Sequence, residues 1–269
     1  MGYEYMPIRL IATDIDGTLL DSENRLPPVN VQVLQQAVAG GVHIALVTAR
    51  KVNTTRRIAA LLDLPCALIA HNGARIWDWA GHELRHLTVA LELAQAIAGF
   101  ADVHDIPLMT TVDEVNYYGP GYPLKLEGQS RDDQRVPTNI AAVMGAPTRI
   151  IVVGARGIEL LAEAWGQAAD SLVIHRYYSR EGAMYSAVLT HARANKADAL
   201  NELCGKTGIA ASEVLALGDA EADAPMLRWA GIGVAMGNAM AEARAAADWV
   251  APDHDAGGFA AAVERFVLR

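Results

Sequence analysis

Short apolar runs alternate with longer amphipathic segments along this chain, and that alternation narrows the possible folds more than any other feature. Leu10–Thr13 reads as a strand, Pro28–Ala39 as a helix closed by Gly40 and Gly41, and Val42–Thr48 as the next strand. Val52–Leu62 is helical, and the apolar stretch "CALIAHNGA" follows it. This rhythm implies a parallel sheet with helices on its faces. It breaks after about Gly81 and resumes near residue 191 with a helix over Ala194–Lys206, the strand "EVLALGD", the short helix "PMLRWAG", the strands "IGVAM" and "DWVAP", and a closing amphipathic helix. One domain, residues 1–81 and 191–269, is therefore expected to be interrupted by another, residues 82–190. Within the insertion, "VALELAQAIAGFADVHDI" predicts a helix and "PLMTTVDEVNYYG" predicts exposed-edge strand. "GPGYPLKLEGQSRDDQRVPTN" predicts loops or a lid; the strand "TRIIVVG" precedes a second helix, and "LVIHRYYS" and "AMYSAVLTH" follow it.

Bulk properties exclude several function classes. At 269 residues and 52% hydrophobic, the chain can bury a sizeable core. A net charge of −9 gives no electrostatic footprint for nucleic acid or an anionic membrane. An anionic substrate would need local positive charge, from side chains or a metal ion. Cys66 and Cys204 form no disulfide framework and fit a reducing cytoplasm. The N-terminal "MGYEYMPIRL" does not read as a signal peptide, and no long apolar run predicts a membrane span.

Two aspartates stand where chemistry is expected. Asp14 ends the first strand and Asp16 follows two residues later, in "RLIATDIDGTLLD". Open α/β sheets bind ligands at the carboxyl ends of their strands. Adjacent carboxylates repel, and they persist where a divalent cation shares them or one is protonated. An EF-hand reading fails, because its glycine position holds Leu19 and its terminal glutamate position holds Arg25. "LALGDAEADAPML" repeats the logic: Asp219 follows a buried strand, and Asp219 with Asp223 can complete a magnesium site with the first pair. Thr48, with the N–H of Ala49 beside it, suits a phosphate oxygen. Lys196 opens a helix, where the dipole disfavours positive charge; a phosphate or an aspartate opposite would justify it. "GKT" at 205–207 lacks the P-loop glycine, since Leu200 holds that position, and "GIGVAMGNA" lacks dinucleotide-binding spacing.

Taken in order, "DIDGTLL", Thr48, Lys196 and "GDAEAD" resemble the four signature regions of the haloacid dehalogenase superfamily. "HNGA" at 71–74, "GVAMGNA" at 233–239 and "APDHDAGGFAAAV" resemble its Cof-type phosphatase branch. The resemblance implies a Rossmann-like, doubly wound α/β core with an inserted α/β cap of the C2 type. It implies Asp14 as nucleophile, forming an aspartyl-phosphate, and Asp16 as general acid and then base. Mg²⁺ would be held by Asp14, the main chain of Asp16, and Asp219, with Asp223 in the same acidic set. Thr48, Lys196 and the N–H groups near Ile15 and Ala49 would hold the phosphoryl group. Two positions depart from the pattern: Ala222 replaces the usual asparagine of GDxxND, and Ala49 replaces a glycine. The implied substrate is a small phosphorylated metabolite such as a sugar phosphate. A phosphomutase using the same intermediate, or a phosphometabolite-binding protein with reduced turnover, are the alternatives; the Asp16 acid disfavours a dehalogenase. Tyr117, Tyr118, Tyr122, Lys125, Arg176 and Tyr177 are cap residues that could face a substrate.

Overall fold

The computed structural model describes residues 7–123, 132–166, 170–179 and 182–268. The chain begins β1 (Leu10–Thr13), α1 (Pro28–Ala39), β2 (His43–Val47), α2 (Val52–Leu62), β3 (Cys66–Ala70), β4 (Arg75–Trp77) and β5 (Glu83–His86). It continues α3 (Leu91–Val103), β6 (Leu108–Val112), β7 (Val115–Tyr118), β8 (Gln134–Arg135), β9 (Arg149–Val153), α4 (Ala155–Trp165), β10 (Leu172–Tyr178) and β11 (Met184–His191). It ends α5 (Lys196–Thr207), β12 (Val214–Gly218), α6 (Ala224–Trp229), β13 (Ile232–Ala235), α7 (Ala241–Ala246), β14 (Trp249–Val250) and α8 (Gly258–Phe266). Two compact units result, Met1–Arg85 with Asn195–Arg269, and His86–Ala194.

The first unit is a doubly wound α/β sheet in the order β14-β13-β12-β1-β2-β3-β4-β5. Strands from β14 to β3 pair in parallel, and β4 joins β3 antiparallel. Every residue of β1 and β12 is buried, so these strands read as unbroken apolar runs rather than alternating ones. One face packs on Leu34 of α1, Ile58 and Leu62 of α2, and Phe259 and Val263 of α8. The other packs on Leu200 and Leu203 of α5, Met226 of α6 and Ala243 of α7. Each fully buried Leu or Ile there contributes about 1.5–3 kcal/mol. The strand order runs outward from β1 in one direction and from β12 in the other, so the sheet changes direction between them. A crevice at the carboxyl ends of those two strands is where such a sheet takes its ligand.

The second unit has a six-stranded sheet in the order β10-β11-β9-β6-β7-β8. The pairs from β10 to β7 are antiparallel, and β7 and β8 are parallel. Ile97 and Ala101 of α3 and Ile158 and Leu161 of α4 pack with Leu108, Ile150, Val152 and Leu189 of the sheet. The segment expected at an exposed edge lies inside the sheet instead: Leu108 to Thr111 are buried, and β6 has neighbours on both sides. A tight hairpin explains the difference. Asp113 and Glu114 both take positive φ, 47° and 67°, and return the chain so that Val112 faces Val115. Of the stretch expected to form loops or a lid, residues 124–131 lie outside the described residues, and Gln134–Arg135 forms a short strand.

No helix among the described residues is long and apolar enough to cross a membrane.

Candidate active site

The first unit brings Asp14, Asp219, Asp223 and Lys196 together from three separate stretches of sequence. Thr13 of β1 pairs with Leu217 of β12, so Asp14 and Asp219 leave neighbouring strand ends, and the Asp14 N–H donates to the Leu217 carbonyl at 2.9 Å. One ligand atom from each of Asp14, Asp219 and Asp223 lies within 4.8 Å of the others. Lys196 Nζ donates to Asp14 Oδ1 at 2.6 Å and to Asp223 Oδ1 at 2.5 Å. The puzzle of a cation at a helix N-terminus is thereby resolved: α5 is capped by Asn195, whose side chain accepts the Asp198 N–H at 2.7 Å, and Lys196 meets aspartates.

Two glycines let these groups approach closely. Gly17 turns the chain after Asp14 with φ 74°, and a Cβ there would meet Asp219 Oδ2 at 2.4 Å. Gly218 precedes Asp219, and a Cβ on it would meet the Asp223 side chain at 2.5 Å. Asp223 is fully buried, and its Oδ2 accepts from the backbone N–H groups of Asp219 and Ala220 at 3.0 and 2.9 Å. Thr18 Oγ1 donates to Asp219 Oδ1 at 3.1 Å.

Three carboxylates around one ammonium carry excess negative charge, and the protonation equilibria reflect it. Burial pushes the Asp14 carboxyl well above its ordinary range against the pull of Lys196, with Asp223 and Asp219 adding to the rise. Burial, and then the Asp223 charge, push Asp219 up to about 7. The Asp14 and Asp223 charges hold the Lys196 ammonium protonated, raising it above the ordinary lysine value although burial opposes that charge.

The remaining sequence-expected groups follow β1, β2 and β12, but Asp16 is differently engaged. Its exposed carboxylate is gripped by Arg50, with Nε donating to Oδ2 at 2.8 Å and Nη2 donating to Oδ1. Thr48 follows β2 and is buried; its hydroxyl accepts the Arg50 N–H at 3.1 Å. Ile15 is buried directly after Asp14, Ala49 directly follows Thr48, and Ala222 is half-buried in the turn before Asp223. Sequence reasoning passed over Arg50, although its place two residues after Thr48, at a strand's carboxyl end, was a usable signal. It also passed over Asn238, whose Nδ2 donates to the Gly17 carbonyl at 2.9 Å.

Of the second-unit candidates, Tyr118 and Tyr122 are buried beside Met109 and Ile151, and the Tyr118 hydroxyl donates to Asp133 at 3.0 Å. Tyr177 packs against that cluster, Tyr117 against the helix-facing one, and Arg176 is exposed. Lys125 lies outside the described residues. Neither cysteine offers a thiolate nucleophile, since burial pushes Cys66 to about 12 and Cys204 to about 11.

A doubly wound sheet with a buried aspartate–lysine cluster at its switch point, interrupted by a second α/β unit, defines a hydrolase of the haloacid dehalogenase type. The family model for haloacid dehalogenase-like hydrolases matches residues 11–263, and the chain belongs to that family. It is 28% identical to the putative phosphatase YxeH of Bacillus subtilis, over 97% of this chain and 98% of that protein. It is 26% identical to the 5-amino-6-(5-phospho-D-ribitylamino)uracil phosphatase YcsE of the same organism, covering 98% of each. Among solved structures, a haloacid dehalogenase-like hydrolase from B. subtilis superposes with a TM-score of 0.84 at 24% identity, over 97% of this chain and all of that one (100%).

Proposed function

We propose that this hydrolase is a Mg²⁺-dependent phosphatase that cleaves a small phosphorylated metabolite through an aspartyl-phosphate on Asp14. The observation that carries the reading is the meeting of Asp14, Asp219, Asp223 and Lys196 at the carboxyl ends of β1 and β12. The names of the relatives, the putative phosphatase YxeH and the phosphatase YcsE, support the reaction class.

The donor set fits magnesium. Hard carboxylate oxygens suit a hard divalent cation, and three acids around one ammonium leave negative charge that such an ion would balance. Asp14, Asp219 and Asp223 are the residues that would hold it. The chemistry supplied by the bound ion is charge neutralisation, so that an anionic phosphate can approach an anionic nucleophile.

The chain's own groups divide the remaining work. Lys196 fixes Asp14 Oδ1, which leaves Oδ2 to form the bond to phosphorus as the bond to the leaving oxygen breaks. Asp16, once it turns from Arg50, takes up a proton from solvent and gives it to that oxygen. It then takes a proton from the water that attacks phosphorus and frees Asp14. Thr48, the Ala49 N–H and Lys196 orient the transferring group, which is where most catalysis of phosphoryl transfer resides.

Turnover of p-nitrophenyl phosphate and a panel of phosphorylated sugars, with Mg²⁺ and with excess EDTA, tests the proposal. Hydrolysis that needs Mg²⁺ is the expected result. Full activity in EDTA would overturn it.

A further inference from the structure

Asn238 lies in "GVAMGNA", a stretch with no role in the chemistry above. Its amide orientation is fixed by its partners. Oδ1 accepts the backbone N–H of His254 at 3.2 Å, so Nδ2 must face the other way. There it donates to the Gly17 carbonyl at 2.9 Å and stands 3.5 Å from Asp219 Oδ2. The opposite oxygen of Asp219 is held by Thr18 at 3.1 Å, so the carboxylate is bracketed from both sides.

The support for Asn238 is itself rigid. The Met240 N–H donates to the Asp219 carbonyl at 2.8 Å, and the Gly237 N–H to the Pro252 carbonyl at 3.0 Å. Gly237 lies so close to the 252–253 backbone that a Cβ would meet Asp253 N at 2.4 Å. Asp255 Oδ1 accepts the Ser22 N–H at 2.8 Å, which fastens the 253–255 turn to the loop that follows the nucleophile. One side chain therefore joins two pieces of backbone, the Gly17 turn and the turn at His254, to a single carboxylate.

From this geometry we infer that Asn238 is a positioning residue that sets the affinity of the site for Mg²⁺, by fixing the Asp219 carboxylate and the Gly17 turn. The inference rests on the magnesium reading of the carboxylates. Groups that hold metal ligands in place commonly change affinity 10- to 100-fold when removed.

Calorimetric titration of the full chain with MgCl₂, beside thermal unfolding in EDTA, tests it. Asn238→Ala should bind Mg²⁺ at least tenfold more weakly while unfolding in EDTA within a few degrees of wild type. As a control for simple destabilisation, Leu34→Ala opens a cavity in the apolar packing of α1 and should keep its Mg²⁺ Kd within twofold of wild type. If Asn238→Ala does not stay folded, Asn238→Ser is titrated against the same criterion. A variant Kd within twofold of wild type overturns the inference and leaves the phosphatase reading standing. A wild-type protein that binds no Mg²⁺ overturns both.

Discussion

Replacing Lys196 by Met keeps most of the stem volume and removes the only cation that touches Asp14 and Asp223 among the described residues. Each contact, at 2.6 and 2.5 Å, is worth about 6 kcal/mol of Coulomb attraction at an effective dielectric near 20. Against that loss stand the recovered cost of burying an ammonium, several kcal/mol, and the ability of the acids to take up protons. Removing one partner from a buried ionic group leaves a net cost of about 3–5 kcal/mol. In a unit of about 160 residues that lowers the unfolding midpoint by roughly 6–20 °C. Differential scanning calorimetry in EDTA at pH 7.5 should show this drop. The deficit should shrink at pH 5, where Asp219, titrating at about 7, is protonated. It should also shrink in Mg²⁺, which replaces the missing charge. A drop under about 2 °C, or an equal drop at both pH values, would show that Lys196 does not act through its charge.

Asp14→Asn removes the proposed nucleophile and one of three crowded acids, so turnover should vanish while the midpoint in EDTA stays level or rises; unchanged turnover would move the nucleophile elsewhere. In EDTA, wild-type stability should fall as pH rises from about 4 to 7. The sign follows from Asp219: its folded value, about 7, lies above the unfolded one, so the native state binds the extra proton across that window and loses its advantage as the proton leaves. Asp219→Asn should flatten that slope, and an unchanged slope would contradict the assignment. Ala222→Asn should raise kcat/KM about two- to tenfold if the amide gains one transition-state hydrogen bond, worth about 0.5–1.5 kcal/mol. A decrease in a folded, Mg²⁺-binding variant would show that another group already fills that role.

The core was legible because its strands are buried on both faces and read as apolar runs closed by aspartate, threonine or glycine. The placement of Lys196 was legible for a related reason, since a cation against a helix dipole requires a counter-charge. Other features carried no such local mark. Asp113-Glu114 lacks the Asn-Gly or Asp-Gly chemistry that signals a two-residue hairpin, so an interior strand pair read as an edge. Arg50 resembles any solvated residue before a helix, and only the return of the 14–19 loop past the end of β2 shows it holding Asp16. Asn238 is 221 residues from its partner Gly17, a separation across which no periodicity reports.

The most direct test of the central claim is to trap the covalent intermediate. Wild-type protein mixed with substrate and Mg²⁺, quenched in acid within milliseconds and digested, should yield a phosphoryl adduct on the peptide that carries Asp14, and Asp14→Asn should yield none. An adduct on any other residue, in protein that turns over, would contradict the account.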